Sequence, residues 1–121
     1  MSYEIKQDGK FKFLEEGEGE VLMLLHGLFG ALSNFNNLID HFKSSYKIVV
    51  PILPLLDLDL LHTSVGGLEK FLNKFIENRK YANIHLMGNS LGGHVALVHI
   101  LKHPEQIKSL ILTGSSGLFE N

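Results

Sequence analysis

The hydrophobic positions of the chain form short blocks that alternate between strand-like and helix-like spacing. Four runs rich in apolar residues, at 21–25, 46–50, 84–87 and 108–113, predict buried strands. Apolar residues at helical spacing between these strands predict helices over about 35–42, 64–79 and 91–103. Strands that alternate with helices favour right-handed crossovers and a mainly parallel sheet with helices on both faces.

The ends of these elements carry turn and cap signals. Apolar and polar residues alternate on both sides of Asp8-Gly9, a dipeptide suited to a tight turn, so the chain is predicted to open with an antiparallel hairpin. Ser33 is the predicted N-cap of the first helix, and Thr63 or Ser64 that of the second. We interpret 1–121 as a single α/β unit with six strands and three long helices.

Composition excludes several classes of function. The chain has 121 residues, 45% of them hydrophobic, and a net charge of −2 with scattered lysines, so no nucleic-acid partner is expected. No apolar run approaches the ~20 residues of a membrane span, and neither a membrane partner nor a cleaved leader is expected, which favours a cytoplasmic location. There is no cysteine, and no histidine pair has spacing that suggests zinc, so neither a metal nor a cofactor is expected.

The segment Gly88-Asn89-Ser90-Leu91-Gly92 is the strongest chemical signal in the chain. By composition alone such a Gly-x-Ser-x-Gly pattern would arise by chance roughly one time in ten. Here, however, it joins a predicted buried strand to a predicted helix without a spacer, the setting of a strained turn that exposes a nucleophilic serine. Gly114-Ser115-Ser116-Gly117 lacks both that spacing and a following helix.

Acyl transfer also needs amide donors for the oxygen that becomes negative. The turn would supply the Leu91 N–H, and the glycine-rich segment 26–30, after the 21–25 strand, would supply the Leu28 N–H. With these two segments, VLMLLHGLFG and IHLMGNSLGG, the chain resembles the amino-terminal half of an α/β-hydrolase, in the branch of small serine esterases and carbon–carbon hydrolases. The resemblance implies that Ser90 is the nucleophile and that Leu28 and Leu91 form the oxyanion hole.

The resemblance also implies a catalytic acid and histidine later in the chain than the serine. His99 and His103 should lie on the order of 13 Å or more from the hydroxyl, at 1.5 Å per helical residue, and are not predicted to be the base. His94 is expected to pack under the turn, and His26 to brace the 26–30 segment. Glu120 has the position of a triad acid in some relatives, but a solvated carboxylate is the simpler interpretation.

Three functional hypotheses remain open at this stage. The first is a serine hydrolase that cleaves a carboxylic ester or related acyl bond of a small molecule through an acyl-enzyme. The second is a hydrolase of carbon–carbon bonds in diketone-like substrates, and the third is a non-catalytic binding protein on the same scaffold. Domains of this architecture run to ~200–250 residues, so 1–121 is expected to need the carboxyl-terminal half of the same protein and to be nearly inactive alone.

Overall fold

The structure is a computed structural model that describes residues 3–26, 35–54 and 64–114. Within these residues the strands are β1 (Lys6–Asp8), β2 (Phe11–Glu16), β3 (Glu20–Leu25), β4 (Tyr46–Pro51), β5 (Ile84–Asn89) and β6 (Ile107–Thr113). The helices are α1 (Asn36–Phe42), α2 (Ser64–Arg79) and α3 (Leu91–Lys102), with a 3₁₀ turn at Pro104–Gln106. The predicted alternation of strands and helices is confirmed.

The six strands form one sheet in the order β1-β2-β4-β3-β5-β6. β1 and β2 form the predicted antiparallel hairpin around Gly9, whose φ of 61° is the left-handed conformation that the turn requires. β2 also pairs antiparallel with β4, whereas β4, β3, β5 and β6 run parallel to one another. The predicted mainly parallel sheet with an antiparallel start is therefore confirmed.

Helices cover both faces of the sheet, and β3 shows why its sequence is continuously apolar. Val21, Met23 and Leu25 contribute to one hydrophobic cluster, while Leu22 and Leu24 contribute to another on the opposite face. The first cluster includes the apolar stripe of α2 and the inner face of α3, and the second includes Ile39 of α1. A central strand in this position needs apolar residues at every position, because neither face meets water.

Two predictions about the first helix are wrong. Ser33 is not its N-cap, because the helix begins at Asn36 and Phe35 occupies the cap position without a side-chain hydrogen bond. The helix is also short, at seven residues, so only two of the three α-helices described are long. Phe35 is buried in the same hydrophobic cluster as Ile39 of α1. Packing of this ring fixes where the helix starts, although no polar side chain caps it.

The strands that follow β3 in the chain lie on opposite sides of it in the sheet. From β3 the chain passes through α1 to β4 on one side, and then through α2 to β5 on the other side of β3. In open parallel sheets such a switch point leaves a crevice beyond the carboxyl ends of the two strands, where ligands bind. Leu25 at the end of β3 pairs with Gly88 near the end of β5, and Ser90 follows at this edge.

Candidate active site

Ser90 lies between β5 and α3 in a backbone conformation that few residues adopt. Its φ of 57° and ψ of −122° lie outside the helical and extended regions, and such a conformation costs about 1–3 kcal/mol for a residue with a side chain. The Ser90 N–H donates to the Thr113 carbonyl at 3.1 Å, and the Ser90 carbonyl accepts from Gly93 at 2.9 Å. The predicted strained turn is confirmed, and the Ser90 residue is exposed.

The glycines on either side of Ser90 permit close backbone contact. A Cβ at Gly88 would lie 2.5 Å from the Gly92 carbonyl oxygen, and a Cβ at Gly92 would lie 2.4 Å from the Leu25 carbonyl oxygen. Real Cβ atoms do not approach backbone oxygens so closely. The start of α3 therefore sits directly on the end of β3, which fixes Ser90 at the switch point of the sheet.

The first turn of α3 presents backbone donors beside Ser90. Leu91 opens the helix, and a donor in this position has no acceptor within its own helix. The aligned peptide dipoles add partial positive charge at the same end. Both effects favour a negative oxygen near this end of α3, and the oxyanion role of the Leu91 N–H stays a prediction. Leu28, the other predicted donor, lies outside the described residues, and so does Glu120.

Two histidines lie close to this turn in the structure. His26 follows β3 and is buried, and its carbonyl oxygen would lie 2.8 Å from a Cβ at Gly92. It is thus at the contact between β3 and α3. Its predicted role in bracing the 26–30 segment stays a prediction, because residues 27–30 lie outside the described residues. His94 is half-buried on the first turn of α3, and its N–H lies 3.3 Å from the Ser90 carbonyl oxygen. The side-chain role of His94 stays a prediction.

The remaining described histidines have partners elsewhere. His41 is exposed on α1, and the His85 ring lies 2.7 Å from Ser109 Oγ and 3.0 Å from Glu20 Oε1. His99 is fully buried between α2 and α3, where it contacts Glu69 and Gln106. Sequence reasoning missed this buried cluster, because Glu69 lies 30 residues from His99 along the chain and no local pattern connects the two.

Displaced pKa values occur at the opposite edge of the sheet, near the amino ends of the parallel strands. Hydrogen bonds from Lys108 and His85 lower the pKa of Glu20. Partial burial raises the pKa of Glu15, but the Tyr81 hydroxyl and the Arg79 guanidinium outweigh it and hold that pKa below its ordinary value of 4.5. Burial and the bond to Glu15 raise the pKa of the Tyr81 phenol. These groups support the fold at a distance from Ser90.

A family described as "alpha/beta hydrolase fold" matches residues 20–121. The chain belongs to this family. An α/β-hydrolase enzyme from the metagenome of lagoon sediments of Mar Chica, Morocco, superimposes with a TM-score of 0.90 at 49% identity, covering 97% of this chain and 54% of that one. The fold predicted from the two motif segments is therefore confirmed.

Curated relatives carry different hydrolase names. "Lipase 1" of Psychrobacter immobilis is 28% identical over 117 residues, which cover 91% of this chain and 37% of the lipase. The 2-hydroxy-6-oxononadienedioate/2-hydroxy-6-oxononatrienedioate hydrolase of Escherichia coli K12 is 32% identical over 123 residues, covering 91% of this chain and 43% of that enzyme. The chain thus spans less than half the length of these relatives.

None of the described helices combines the length and the apolar character that crossing a membrane requires.

Proposed function

We propose that the intact protein is a serine hydrolase that cleaves a carboxylic ester or a related acyl bond of a small molecule, with Ser90 as the nucleophile. The observation that carries this proposal is the backbone of Ser90, strained and exposed between β5 and the amino end of α3. A serine without a chemical role gains nothing from such a conformation, because an ordinary strand-to-helix connection avoids its cost. The lipase among the relatives supports an acyl substrate.

In the proposed reaction, Ser90 Oγ attacks the ester carbonyl carbon while a general base removes the hydroxyl proton. The carbonyl oxygen becomes negative and accepts hydrogen bonds from the Leu91 N–H and, we propose, the Leu28 N–H. Collapse of this intermediate breaks the bond to the alkoxide, which takes the proton from the base. Water then attacks the acyl-enzyme with help from the same base, which releases the carboxylic acid and restores the serine.

The base and the acid that orients it are proposed to come from the carboxyl-terminal half of the same protein. His99 already contacts Glu69 and Gln106 between two helices, so both nitrogens of its ring are occupied near the end of α3 opposite Ser90. The length of the relatives supports a further segment, since this chain covers 37% and 43% of two of them. Glu120 remains a weaker candidate for the acid.

A carbon–carbon hydrolase is the second candidate, favoured by the relative from Escherichia coli. The compound in that enzyme's name is a dicarboxylic acid that carries a ketone and no ester. A serine and an oxyanion hole of the same geometry serve both reactions, because each passes through a negative oxygen on a former carbonyl. Turnover of p-nitrophenyl acetate compared with turnover of a 6-oxo-dienoic acid distinguishes the two.

Covalent labelling tests the nucleophile directly. A fluorophosphonate probe should label the intact wild-type protein at one site, and peptide mass spectrometry should locate the adduct on Ser90. Ser90→Ala should abolish labelling and lower turnover of p-nitrophenyl acetate by about 10⁴-fold or more. Ser44→Ala, which alters an exposed serine in the turn after α1, is the matched control and should react like the wild type. An unlabelled wild type would favour a non-catalytic binding protein.

Residues 1–121 produced alone test the origin of the base. Without an imidazole the hydroxyl stays protonated, and the oxyanion hole alone supplies only a small part of the catalysis. We expect turnover of p-nitrophenyl acetate at least about 10³-fold below that of the intact protein. A rate close to that of the intact protein, lost on His94→Gln, would assign the base to His94 instead.

A further inference from the structure

Three side chains that bind metals in other proteins meet between α2 and α3, at the end of α3 opposite Ser90. Glu69 comes from α2, His99 from α3, and His103 follows the end of α3. One potential ligand atom from each lies within 4.8 Å of the others. Glu69 is 1% exposed and His99 is 0% exposed, whereas His103 is half-buried and borders solvent. A buried carboxylate beside two histidines is unusual in a helix interface, because charged groups are rarely buried without a compensating partner.

The hydrogen bonds of His99 determine which ring nitrogen carries a proton. Gln106 Nε2 donates to Asn73 Oδ1 at 3.2 Å, which turns Gln106 Oε1 towards His99 Nε2 at 2.7 Å. An amide oxygen only accepts, so His99 Nε2 carries the proton. The Nδ1 atom then faces Glu69 Oε2 at 2.8 Å. A ring nitrogen and a carboxylate oxygen at this distance need a proton shared between them or a metal ion that both bind.

His103 has a similar arrangement. Its Nδ1 atom lies 3.9 Å from Glu105 Oε2, while its Nε2 atom lies 3.5 Å from Glu69 Oε2. The carboxylate of Glu105 favours the proton on Nδ1 and leaves the lone pair of Nε2 on the side of Glu69. Histidines that bind metals usually donate their other ring N–H to an oxygen, as His99 does to Gln106. Both histidines therefore present a nitrogen towards the same carboxylate oxygen.

We propose that Glu69, His99 and His103 form a binding site for a divalent transition metal ion, with zinc as the preferred ion. Imidazole nitrogens and a carboxylate oxygen are zinc ligands at about 2.0–2.2 Å, and tetrahedral geometry then separates the ligand atoms by roughly 3.3 Å. Glu69 Oε2 lies 2.8 Å from His99 Nδ1 and 3.5 Å from His103 Nε2, and all three ligand atoms lie within 4.8 Å of one another. Rotation of the side chains can bring them to the tetrahedral spacing. The solvent beside His103 supplies water as the fourth ligand.

Lys102 is the cation that competes with the metal. Its Nζ atom lies 3.4 Å from Glu69 Oε1, the carboxylate oxygen that does not face the histidines, and its side chain is 48% exposed. The ammonium group can therefore stay on Oε1 or move into solvent while the metal occupies the Oε2 side. Positive charge near the site weakens binding of a dication, so removal of this lysine should strengthen the site.

Zinc titration of the intact protein tests the proposal without any assay of hydrolysis. We expect one equivalent of Zn²⁺ to bind by calorimetry, with a raised thermal unfolding midpoint and with proton release seen as a dependence of the enthalpy on the buffer. His103→Gln should weaken binding by about 10-fold or more, and circular dichroism should show it folded. The control His41→Gln alters an exposed histidine on α1 and should bind like the wild type.

Two further variants keep the test decisive if His103→Gln fails to fold. Lys102→Met should tighten zinc binding about threefold, the effect of one exposed charge pair. Gln106→Leu removes the acceptor that orients His99 and should weaken binding by about 10-fold. A wild type that binds no Zn²⁺ below about 1 mM, or a folded His103→Gln that binds as tightly as the wild type, would show that the cluster holds only a proton.

Discussion

Helix α3 carries a different kind of feature at each of its ends. At its amino end, Ser90 is exposed, strained and surrounded by glycines whose backbones touch β3 and the first turn of the helix. At its carboxyl end, His99 is buried against Glu69 of α2, with Gln106 on the other ring nitrogen. The turn at Ser90 depends on the conformation of the backbone. The cluster at His99 depends on side chains from different helices and turns.

This difference explains why one end can be identified from a short segment and the other cannot. The turn at Ser90 depends on five consecutive residues and on the elements directly before and after them. The cluster at the other end joins residues 69, 99 and 106, which share no local pattern. Substitutions should therefore act through steric contact at the amino end and through charge and hydrogen bonding at the carboxyl end.

The largest effect on stability is expected at the carboxyl end of α3, where Glu69 and His99 are in contact. His99→Leu, measured in EDTA, removes a buried partner of Glu69 and should lower the free energy of unfolding by about 4 kcal/mol. Glu69→Leu should have a similar effect. The double variant should lose less than the sum of the two, because it leaves no uncompensated buried charge. Chemical denaturation of the four proteins measures the coupling, and strict additivity would mean that the two groups do not interact.

A steric substitution at the amino end should rank second. Gly92→Ala forces a Cβ against the carbonyl groups of Leu25 and His26 and should lower the free energy of unfolding by about 3 kcal/mol. Gly66→Ala on α2 is the matched control, since its Cβ would have no neighbour within 4 Å among the residues that the structure describes. It should stabilise the protein by about 0.5 kcal/mol, because alanine favours helix more than glycine does. Equal effects at both glycines would contradict the close contact of α3 with β3.

The backbone strain at Ser90 can be measured by comparing two variants that both lack the hydroxyl. Glycine adopts positive φ without steric cost, whereas alanine retains the Cβ that causes the strain. Ser90→Gly should therefore be more stable than Ser90→Ala by about 1 kcal/mol in thermal or chemical unfolding, while neither variant turns over substrate. A more stable alanine variant would indicate that the strain at this end of α3 is absent.

The smallest effect on stability is expected from the ion pair of Glu15 with Arg79, near the amino ends of the parallel strands. This pair is partly exposed, so it can be compared with the buried pair of Glu69 and His99. The pKa of Glu15 is lowered in the folded protein, so its contribution to stability is present above its ordinary pKa of 4.5 and is lost as the pH falls towards the folded value. Glu15→Gln should reduce the loss of stability in acid. Glu18→Gln, in the exposed turn before β3, should leave the acid denaturation curve unchanged.

Much of the fold follows from local patterns in the sequence. The apolar runs, the Asp8-Gly9 turn and the spacing of α2 predicted the hairpin, the parallel strands and the helix on the expected residues. The site at Ser90 was also predictable, because a Gly-x-Ser-x-Gly segment between strand and helix determines its own backbone geometry. By contrast, the first helix begins at Asn36 and not after Ser33, since burial of Phe35 in the core outweighs a local cap signal.

The sequence by itself therefore determined the order of strands and helices, the family and the candidate nucleophile, because each depends on neighbours along the chain. Only the tertiary structure decided the strand order that brings the end of β3 beside β5, and the packing of α2 on α3 that surrounds His99 with Glu69 and Gln106. Hydrophobic burial drives this packing without regard to sequence separation. The polar groups it encloses must then find partners among whatever side chains it brings together.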